Sequence, residues 1–236
     1  MAATLSVLRR ELGAYFNTPI GYVFIGFFLL ITCYLYVDSL FISGSAEMRE
    51  YFSGLPFIML FFIPAVAMRL WSEERKLGTL ELLLTMPIKT WQAVLGKYLA
   101  GLVVIAVMLL LTVHLPITLK ILGNPDAGPI IGGYLGAMVL GMIYLSIGAF
   151  ASSLTSDQIV AFIIAVSINF VLYLMGFAGV LRDFSPALAG AIERFGVQLH
   201  FESISRGVVD TRDIVYAVTV SGMFLLLNVL VIERRR

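Results

Sequence analysis

The chain has 236 residues, of which 60% are hydrophobic and only 13% are charged. Soluble proteins carry about 25% charged residues, so this composition excludes a soluble enzyme or a disordered chain. The formal net charge of +1 gives no reason to expect a nucleic-acid partner. Cys33 is the one cysteine, which excludes an internal disulfide and a multi-cysteine metal site. The composition therefore predicts an integral membrane protein.

Long runs without Asp, Glu, Lys or Arg predict the membrane spans. A bilayer core about 30 Å thick needs about 20 helical residues, and six runs have about this length or more. The short strands of alternating polarity that form barrels are absent from the sequence. We therefore predict an all-α integral membrane fold in which residues 1–236 form a single transmembrane domain with six transmembrane helices. The predicted spans are about 20–41, 52–69, 94–119, 130–152, 158–181 and 213–232.

The basic residues predict how these spans are oriented. With both termini in the cytoplasm, ten of the 16 Lys and Arg residues lie inside, and cytoplasmic loops are generally enriched in these residues. We therefore expect both termini on the cytoplasmic side of the membrane. The ten are Arg9, Arg10, Arg69, Arg75, Lys76, Lys89, Lys97, Arg234, Arg235 and Arg236.

Residues 1–19 predict an amphipathic helix at the membrane surface. Apolar residues recur at helical spacing, charged residues fall on the other side, and Pro19 marks the turn into the first span. A plain basic topology signal is the alternative. The apolar set is Leu5, Leu8, Leu12, Tyr15 and Phe16, and the charged set is Arg9, Arg10 and Glu11.

The segment between the second and third spans, residues 69–92, is here called the connecting segment. It begins with mixed charges over residues 73–76, and Gly78 then permits a turn. Thr79 is suited to cap a short helix over residues 80–85, and Pro87 interrupts that helix. We expect an ordered charged element on the cytoplasmic side, tied to two spans. A solvated loop is the alternative.

Two stretches of the sequence resemble a known family. The string from Trp71 to Pro87, with Glu-Glu followed by Gly-Thr-Leu-Glu, resembles the signature of type-two ABC transporter permeases. Residues 12–22 resemble that family's amphipathic interfacial helix and its entry into the first span. Residues 200–213 resemble the stretch before the last span in gliding-motility-type permeases. With the six-span layout, the resemblance covers essentially the whole chain.

The resemblance implies a permease subunit of an ATP-driven ABC exporter. Such a subunit forms the translocation pathway as a dimer with a second permease copy, and separate cytoplasmic ABC ATPase subunits bind ATP and magnesium. The connecting segment would then be the cytoplasmic coupling segment. The residues that we assign to this ATPase-coupling interface are Glu73, Glu74, Arg75, Gly78, Thr79, Glu81 and Pro87.

A nucleotide site is missing from the chain itself. A phosphate-binding P-loop needs a hydroxyl residue after its lysine, but Gly96-Lys97 is followed by Tyr98. We therefore expect no enzymatic activity and no cofactor or metal bound by this chain.

Small residues in the fourth predicted span favour close contact between helices, because they let backbones approach within a bilayer. Packing within one chain is favoured over contact between two subunits, and both stay open. The residues are Gly132, Gly133, Gly136, Ala137 and Gly141.

Residues 182–212 are expected to form an outer loop that contains a short surface helix. Leu188, Ile192, Phe195 and Leu199 are its apolar face, with Glu193 and Arg194 opposite. The loop would gate an exit, contact an accessory protein or simply pack. The polar residues assigned to it are His200, Glu202, Arg206 and Asp210.

Two other functions stay open from the sequence. One is a membrane anchor or scaffold without transport, and the other is a secondary carrier or channel. Ion-coupled carriers usually hold ionisable residues in mid-span, whereas Asp38, Arg69, Lys97 and Asp157 all lie near predicted membrane edges. The carrier is therefore disfavoured.

Overall fold

The computed structural model describes residues 2–43, 47–85, 87–123, 125–177, 185–207 and 210–234. Every regular element in these ranges is an α-helix, so the all-α prediction is confirmed. The helices are α1 (Ala2–Phe16), α2 (Pro19–Ser43), α3 (Arg49–Ala67), α4 (Arg69–Lys76), α5 (Thr79–Thr85), α6 (Thr90–Leu111), α7 (His114–Leu122), α8 (Ala127–Leu154), α9 (Gln158–Met175), α10 (Pro186–Phe195), α11 (Val197–Ser205) and α12 (Thr211–Glu233).

Six helical segments are long and apolar enough to cross a membrane, as the sequence predicts. They are α2, α3 with α4, α6 with α7, α8, α9 and α12. The fifth span was expected to reach residue 181, but α9 ends at Met175, and residues 178–184 lie outside the described part of the chain. An even number of spans returns the chain to the end of the bundle at which it began. We call the end that carries α1, α4 and α5 the N-terminal end.

The third span was expected to be continuous over residues 94–119, but it is interrupted between α6 and α7. Pro116 has no N–H group and so leaves the carbonyl one turn earlier, at Thr112, without its usual helical donor. The backbone tightens there, and the N–H of Leu115 donates to Thr112 O at 2.9 Å. The break follows from this proline.

Helix α8 is the centre of the bundle and packs against α3, α6, α9, α11 and α12. Its small residues allow these neighbours to come close. A Cβ added at Gly148 would lie 2.4 Å from Cβ of Ala67 in α3, and one at Gly141 would lie 3.1 Å from Ile105 in α6. Alanine at Gly148 would therefore force α3 to shift, whereas alanine at Gly141 would require the Ile105 side chain to move by a few tenths of an ångström.

Helix α1 lies along the first turns of α6. A Cβ added at Gly96 would come within 2.8 Å of the Val7 side chain, and the Tyr15 hydroxyl donates to Val66 O at 2.7 Å. Val7 and Tyr15 are buried, whereas Leu5 is exposed. Helix α1 thus packs on the protein through the face that carries Val7 and Tyr15, which lies next to the face that carries its leucines.

One assignment on α1 is corrected by the structure. The sequence places Glu11 with Arg9 and Arg10 on the far side, but Glu11 faces α6 and contacts Lys97. Leu8, Leu12 and Phe16 are partly buried. The ion pair of Glu11 with Lys97 determines which face of α1 packs on α6. The spacing of apolar residues in the sequence does not reveal this ion pair.

The outer-loop prediction needs a similar correction. Two helices, α10 and α11, form where one was expected, and they meet at Gly196. Leu188, Phe195 and Leu199 are exposed, whereas Glu193 is buried. The apolar side of α10 therefore faces away from the protein, as an apolar side can do next to lipid.

Candidate functional site

The connecting segment consists of two short helices that meet at a tight turn. Helix α4 ends at Lys76, and Gly78 has φ of +70°, a left-handed conformation that glycine adopts without strain. The hydroxyl of Thr79 donates to Glu74 O at 3.3 Å across this turn. Helix α5 ends at Thr85, just before Pro87. The turn at Gly78 and the short helix after it agree with the sequence prediction, whereas α4 was not predicted and the Thr79 hydroxyl bonds back to α4.

Helix α4 is capped by a residue of another helix. Met68, which precedes α4, provides no side-chain cap, and the first N–H groups of a helix lack intrahelical partners. Ser152 of α8 supplies the acceptor, because its Oγ accepts from the N–H groups of Trp71 at 3.0 Å and Ser72 at 3.1 Å. The same hydroxyl donates to Met68 O at 2.7 Å. These three bonds fix the start of the connecting segment to the end of α8.

The arginines of α4 strengthen this attachment. Arg75 donates to the backbone oxygen of Ser153 at 3.0 Å, again in α8. Arg69 pairs with Glu73 one turn later at 2.9 Å, and its guanidinium lies 5.5 Å from the ring centroid of Tyr15 in α1. Helix α4 is therefore held by both α8 and α1.

A buried cluster of charges joins α1, α4 and α6. The Lys97 Nζ lies 2.9 Å from Oε1 of Glu11 and 3.1 Å from Oε1 of Glu74. Arg10 donates to the same two carboxylates. Lys97 is 1% exposed, and its Nζ lies 4.9 Å from the ring centroid of the buried Trp71. Two cations and two anions thus balance within the cluster.

The charges within this cluster favour the ionised forms of its two residues on α1, Arg10 and Glu11. Burial alone would raise the pKa of Glu11, but the charges and hydrogen bonds of Lys97 and Arg10 outweigh it, so the pKa lies below its usual value. Burial would likewise lower the pKa of Arg10, and the two carboxylates raise it instead. Both groups are therefore ionised at neutral pH.

The outer surface of the connecting segment is apolar at two points. Leu77 is 68% exposed and Leu82 is 65% exposed. Both line a groove of about 370 Å³ whose walls include Arg10, Glu73 and Thr79. Two apolar side chains therefore lie at the surface beside the charged residues of this groove.

The structure separates the predicted interface residues into two groups. Glu74 is mostly buried and pairs inside the chain, and Arg75 bonds to α8. The exposed group is Gly78, Thr79, Glu81 and Pro87, while Glu73 is partly exposed. The sequence allows Glu74 and Glu81 to face one groove, but Glu81 lies on α5 outside the residues that line it.

The opposite end of the bundle brings together the four polar residues predicted for the outer loop. His200, Glu202, Arg206 and Asp210 all line a groove of about 800 Å³. Glu202 accepts from Gln198 at 3.1 Å and lies 3.7 Å from Arg206. Asp210 caps α12, because its Oδ1 accepts from the N–H of Arg212 at 3.0 Å.

His200 is held by groups that sequence reasoning missed. Its Nδ1 lies 2.6 Å from Oδ1 of Asp213, its Nε2 lies 3.1 Å from Arg194 O, and its ring stacks on Tyr216. In the part of the chain that the structure describes, no group of three His, Cys, Asp or Glu residues is placed to hold a metal ion. The contacts of His200 fix the position of α11 against α12.

The predicted small-residue face of α8 packs inside the same chain. A Cβ at Gly132 would lie 2.4 Å from Ile204 O, one at Gly133 would lie 2.5 Å from the Phe52 ring, and one at Gly136 would lie 3.3 Å from Phe201. Ala137 is fully buried, and Gly141 faces Ile105. These residues form the contacts of α8 with α3, α6 and α11.

Lys97 and Ser152 are the other residues that the sequence did not reveal. Lys97 comes directly before the charge-free run that begins at Tyr98, and its position predicts a membrane-edge residue. A lone lysine at the fourth position of the predicted third span was the available signal. Ser152 gives no such signal, since serine is common in membrane helices.

A family model described as "ABC-2 family transporter protein" matches residues 9–231, which is nearly the whole chain. No curated protein matches the chain. The matched range includes α4, α5, the first five candidate spans, the sixth as far as residue 231, and the second half of α1.

Proposed function

The chain belongs to the ABC-2 family of transporter proteins, and on this premise we propose that it is the permease subunit of an ABC exporter. Members of this family are transmembrane subunits that carry no ATPase of their own. In our proposal two copies of the chain form the translocation pathway as a homodimer. Separate cytoplasmic ABC ATPase subunits bind ATP and magnesium and drive it.

One observation carries this proposal. The connecting segment presents exposed Leu77 and Leu82 beside a charged groove, while its base is bonded through Glu74 to Arg10 of α1 and Lys97 of α6, and through backbone N–H groups to α8. A partner that pushes on the exposed corner would therefore move two membrane spans. A loop without a mechanical role would not need three attachments.

The proposed orientation in the membrane rests on the basic residues at the N-terminal end of the bundle. The N-terminal end carries Arg9, Arg10, Lys76 and Lys89, and it also carries the C-terminal end of α12. Cytoplasmic ends are enriched in basic residues, so we propose that this end faces the cytoplasm of a bacterial cell, next to the inner membrane. The groove at the opposite end would then face outward, where an accessory protein would find it.

The likeness of residues 200–213 to gliding-motility-type permeases supports a place in that subfamily as part of the same proposal. The scaffold alternative shares the membrane fold but predicts no effect of the chain on ATP hydrolysis. That difference makes the two functions separable by one assay.

The test uses charge reversal and polar substitution on the exposed corner. Leu82→Asp and Glu81→Lys should weaken the binding of the ABC ATPase subunit, at least tenfold for Leu82→Asp, because burying a carboxylate opposes docking of an apolar side chain. Glu47→Lys is the matched control, since Glu47 is also exposed but lies between α2 and α3 at the opposite end.

The measurement is the dissociation constant of the ATPase subunit for each variant in nanodiscs, together with permease-stimulated ATP hydrolysis. Normal binding and stimulation in both corner variants would refute a coupling role for α5. Equal effects from Glu47→Lys would show that charge reversal acts on the whole protein.

A further inference from the structure

Lys97 stands out because it is a buried cation whose partners lie on two other helices. Its ammonium contacts Glu11 of α1 and Glu74 of α4, while its own backbone belongs to the first turns of α6. The aromatic ring of Trp71 covers it at 4.9 Å. Three helices that are far apart in sequence therefore meet at one amino group.

A lysine is an expensive residue to bury, and a smaller polar group would serve if only packing were needed. Removing one partner of a buried ion pair leaves the other charge uncompensated, which is strongly destabilising. Arg10 already bridges the same two carboxylates from α1. The charges of α1 and α4 are thus linked by Arg10, whereas Lys97 adds the link from both helices to α6.

Helix α4 has a second, separate attachment to the bundle. The Ser152 hydroxyl and the backbone oxygen of Ser153 bind α4 to the end of α8. The base of the connecting segment is therefore fixed to α8 by hydrogen bonds, one of them from the Arg75 guanidinium, and to α6 by the ion pair of Glu74 with Lys97. Each attachment serves a different span.

We propose that Lys97 is the positioning residue that transmits movement of the connecting segment to α6. It holds α1, α4 and the first turns of α6 as one unit, so that displacement of the exposed corner by a partner moves the third span. This inference rests on the proposed function, because it assigns the route by which the ATPase acts on the membrane helices.

A simpler role for Lys97 would be to neutralise two buried carboxylates. The double variant Lys97→Met with Glu11→Gln separates the two roles. It removes one positive and one negative charge, so the remaining pair of Arg10 and Glu74 is still balanced. The ionic link between α6 and its neighbours is lost, while the link between α1 and α4 stays.

The experiment compares wild type, Lys97→Met, the double variant and Lys120→Met in nanodiscs with the co-purified ABC ATPase subunit. Lys120 is an exposed lysine of α7, in the same span but at the opposite end, and is the matched control. Four quantities are measured: thermal unfolding temperature, ATPase binding, permease-dependent stimulation of ATP hydrolysis, and hydrogen exchange of the α1 and α4 amides.

We expect Lys97→Met to lower thermal stability and to expose α1 and α4 to exchange. The double variant should recover thermal stability and bind the ATPase within about twofold of wild type. Its stimulation of ATP hydrolysis should nevertheless fall at least fivefold, and Lys120→Met should behave as wild type.

Recovery of stimulation in the double variant would overturn the proposal, because charge balance alone would then explain Lys97. Loss of ATPase binding in the double variant would also overturn it, since the docking surface would depend on Lys97. If the wild-type chain itself fails to stimulate hydrolysis, the proposed function fails. Hydrogen exchange of the double variant, measured without the ATPase, tests the link to α6 separately from the proposed function. Faster exchange of the α4 amides than in wild type would support that link.

Discussion

Replacing Ser152 by alanine should loosen the connecting segment without touching its exposed surface. The side chain is fully buried in α8, and its oxygen accepts from two N–H groups at the start of α4. It also donates to Met68 O. Alanine fits the same space but removes the acceptor, so the N–H groups of Trp71 and Ser72 lose their partner.

The size of the effect follows from these bonds. A buried donor left without a partner costs about 1–3 kcal/mol, and two such donors give a loss of about 2–4 kcal/mol in the free energy of unfolding after partial relaxation. Ser146→Ala is the matched control. Ser146 is equally buried in α8, but its hydroxyl donates only to Ile143 O of its own helix, so its loss should cost below about 1 kcal/mol.

The assay is thermal unfolding in detergent, followed by tryptophan fluorescence. The chain has two tryptophans, and Trp91→Phe leaves the buried Trp71 of α4 as the only reporter. We expect Ser152→Ala to lower the unfolding temperature clearly more than Ser146→Ala does. Equal shifts for the two serines would refute the view that α8 caps α4.

Three further predictions concern other contacts of the fold. Gly133→Ala should destabilise the protein by about 1–3 kcal/mol, because its Cβ would lie 2.5 Å from the ring of Phe52, whereas Gly54→Ala, with open space around it, should be neutral or stabilising in the same unfolding assay. Asp157→Ala should cost about 0.5–2 kcal/mol, because the carboxylate caps α9 at the N–H of Ile159, and Asp157→Asn should restore most of it. Because the pKa of Glu11 is lower in the folded state than in the unfolded state, its contribution is fully present above about pH 4.3 and is lost as the pH falls through the folded pKa. Hydrogen exchange of α1, corrected for intrinsic rates, should therefore be constant from pH 8 to pH 5 and increase only below about pH 4.

The membrane spans could be predicted from sequence because their physical requirement is local. A helix that crosses a bilayer needs a long run free of charge, and each run is visible without knowing its neighbours. The break at Pro116 was also encoded locally, since proline removes a backbone donor, although we expected a continuous span there.

The charge cluster could not be predicted because its members are far apart in the chain. Glu11 and Lys97 are separated by 86 positions, and nothing near either residue identifies the other as its partner. A helical wheel places Glu11 with Arg10, away from the apolar side. In the structure, the Glu11 carboxylate faces the protein because the buried ammonium group of Lys97 lies on that side.

The prediction for the outer loop was wrong in its number of helices, because α10 and α11 form where one helix was expected. The sequence predicts an amphipathic surface helix with Leu188 and Phe195 on its apolar side and Glu193 opposite, and it does not say which side meets the protein. Next to a bilayer the surroundings are themselves apolar, and hydrophobic periodicity no longer distinguishes protein from lipid. The structure buries Ala189 and Glu193 of α10 against the protein instead.

The most direct test of the account is ATP hydrolysis by the reconstituted complex. The chain is purified from its native membrane, the ABC ATPase subunit that accompanies it is identified, and both are placed in proteoliposomes with ATP and magnesium. Our account predicts that the chain alone hydrolyses no ATP, that it stimulates the ATPase subunit, and that Leu82→Asp abolishes the stimulation while Glu47→Lys does not. Hydrolysis by the chain alone, or an ATPase rate that is the same with and without the chain, would contradict it.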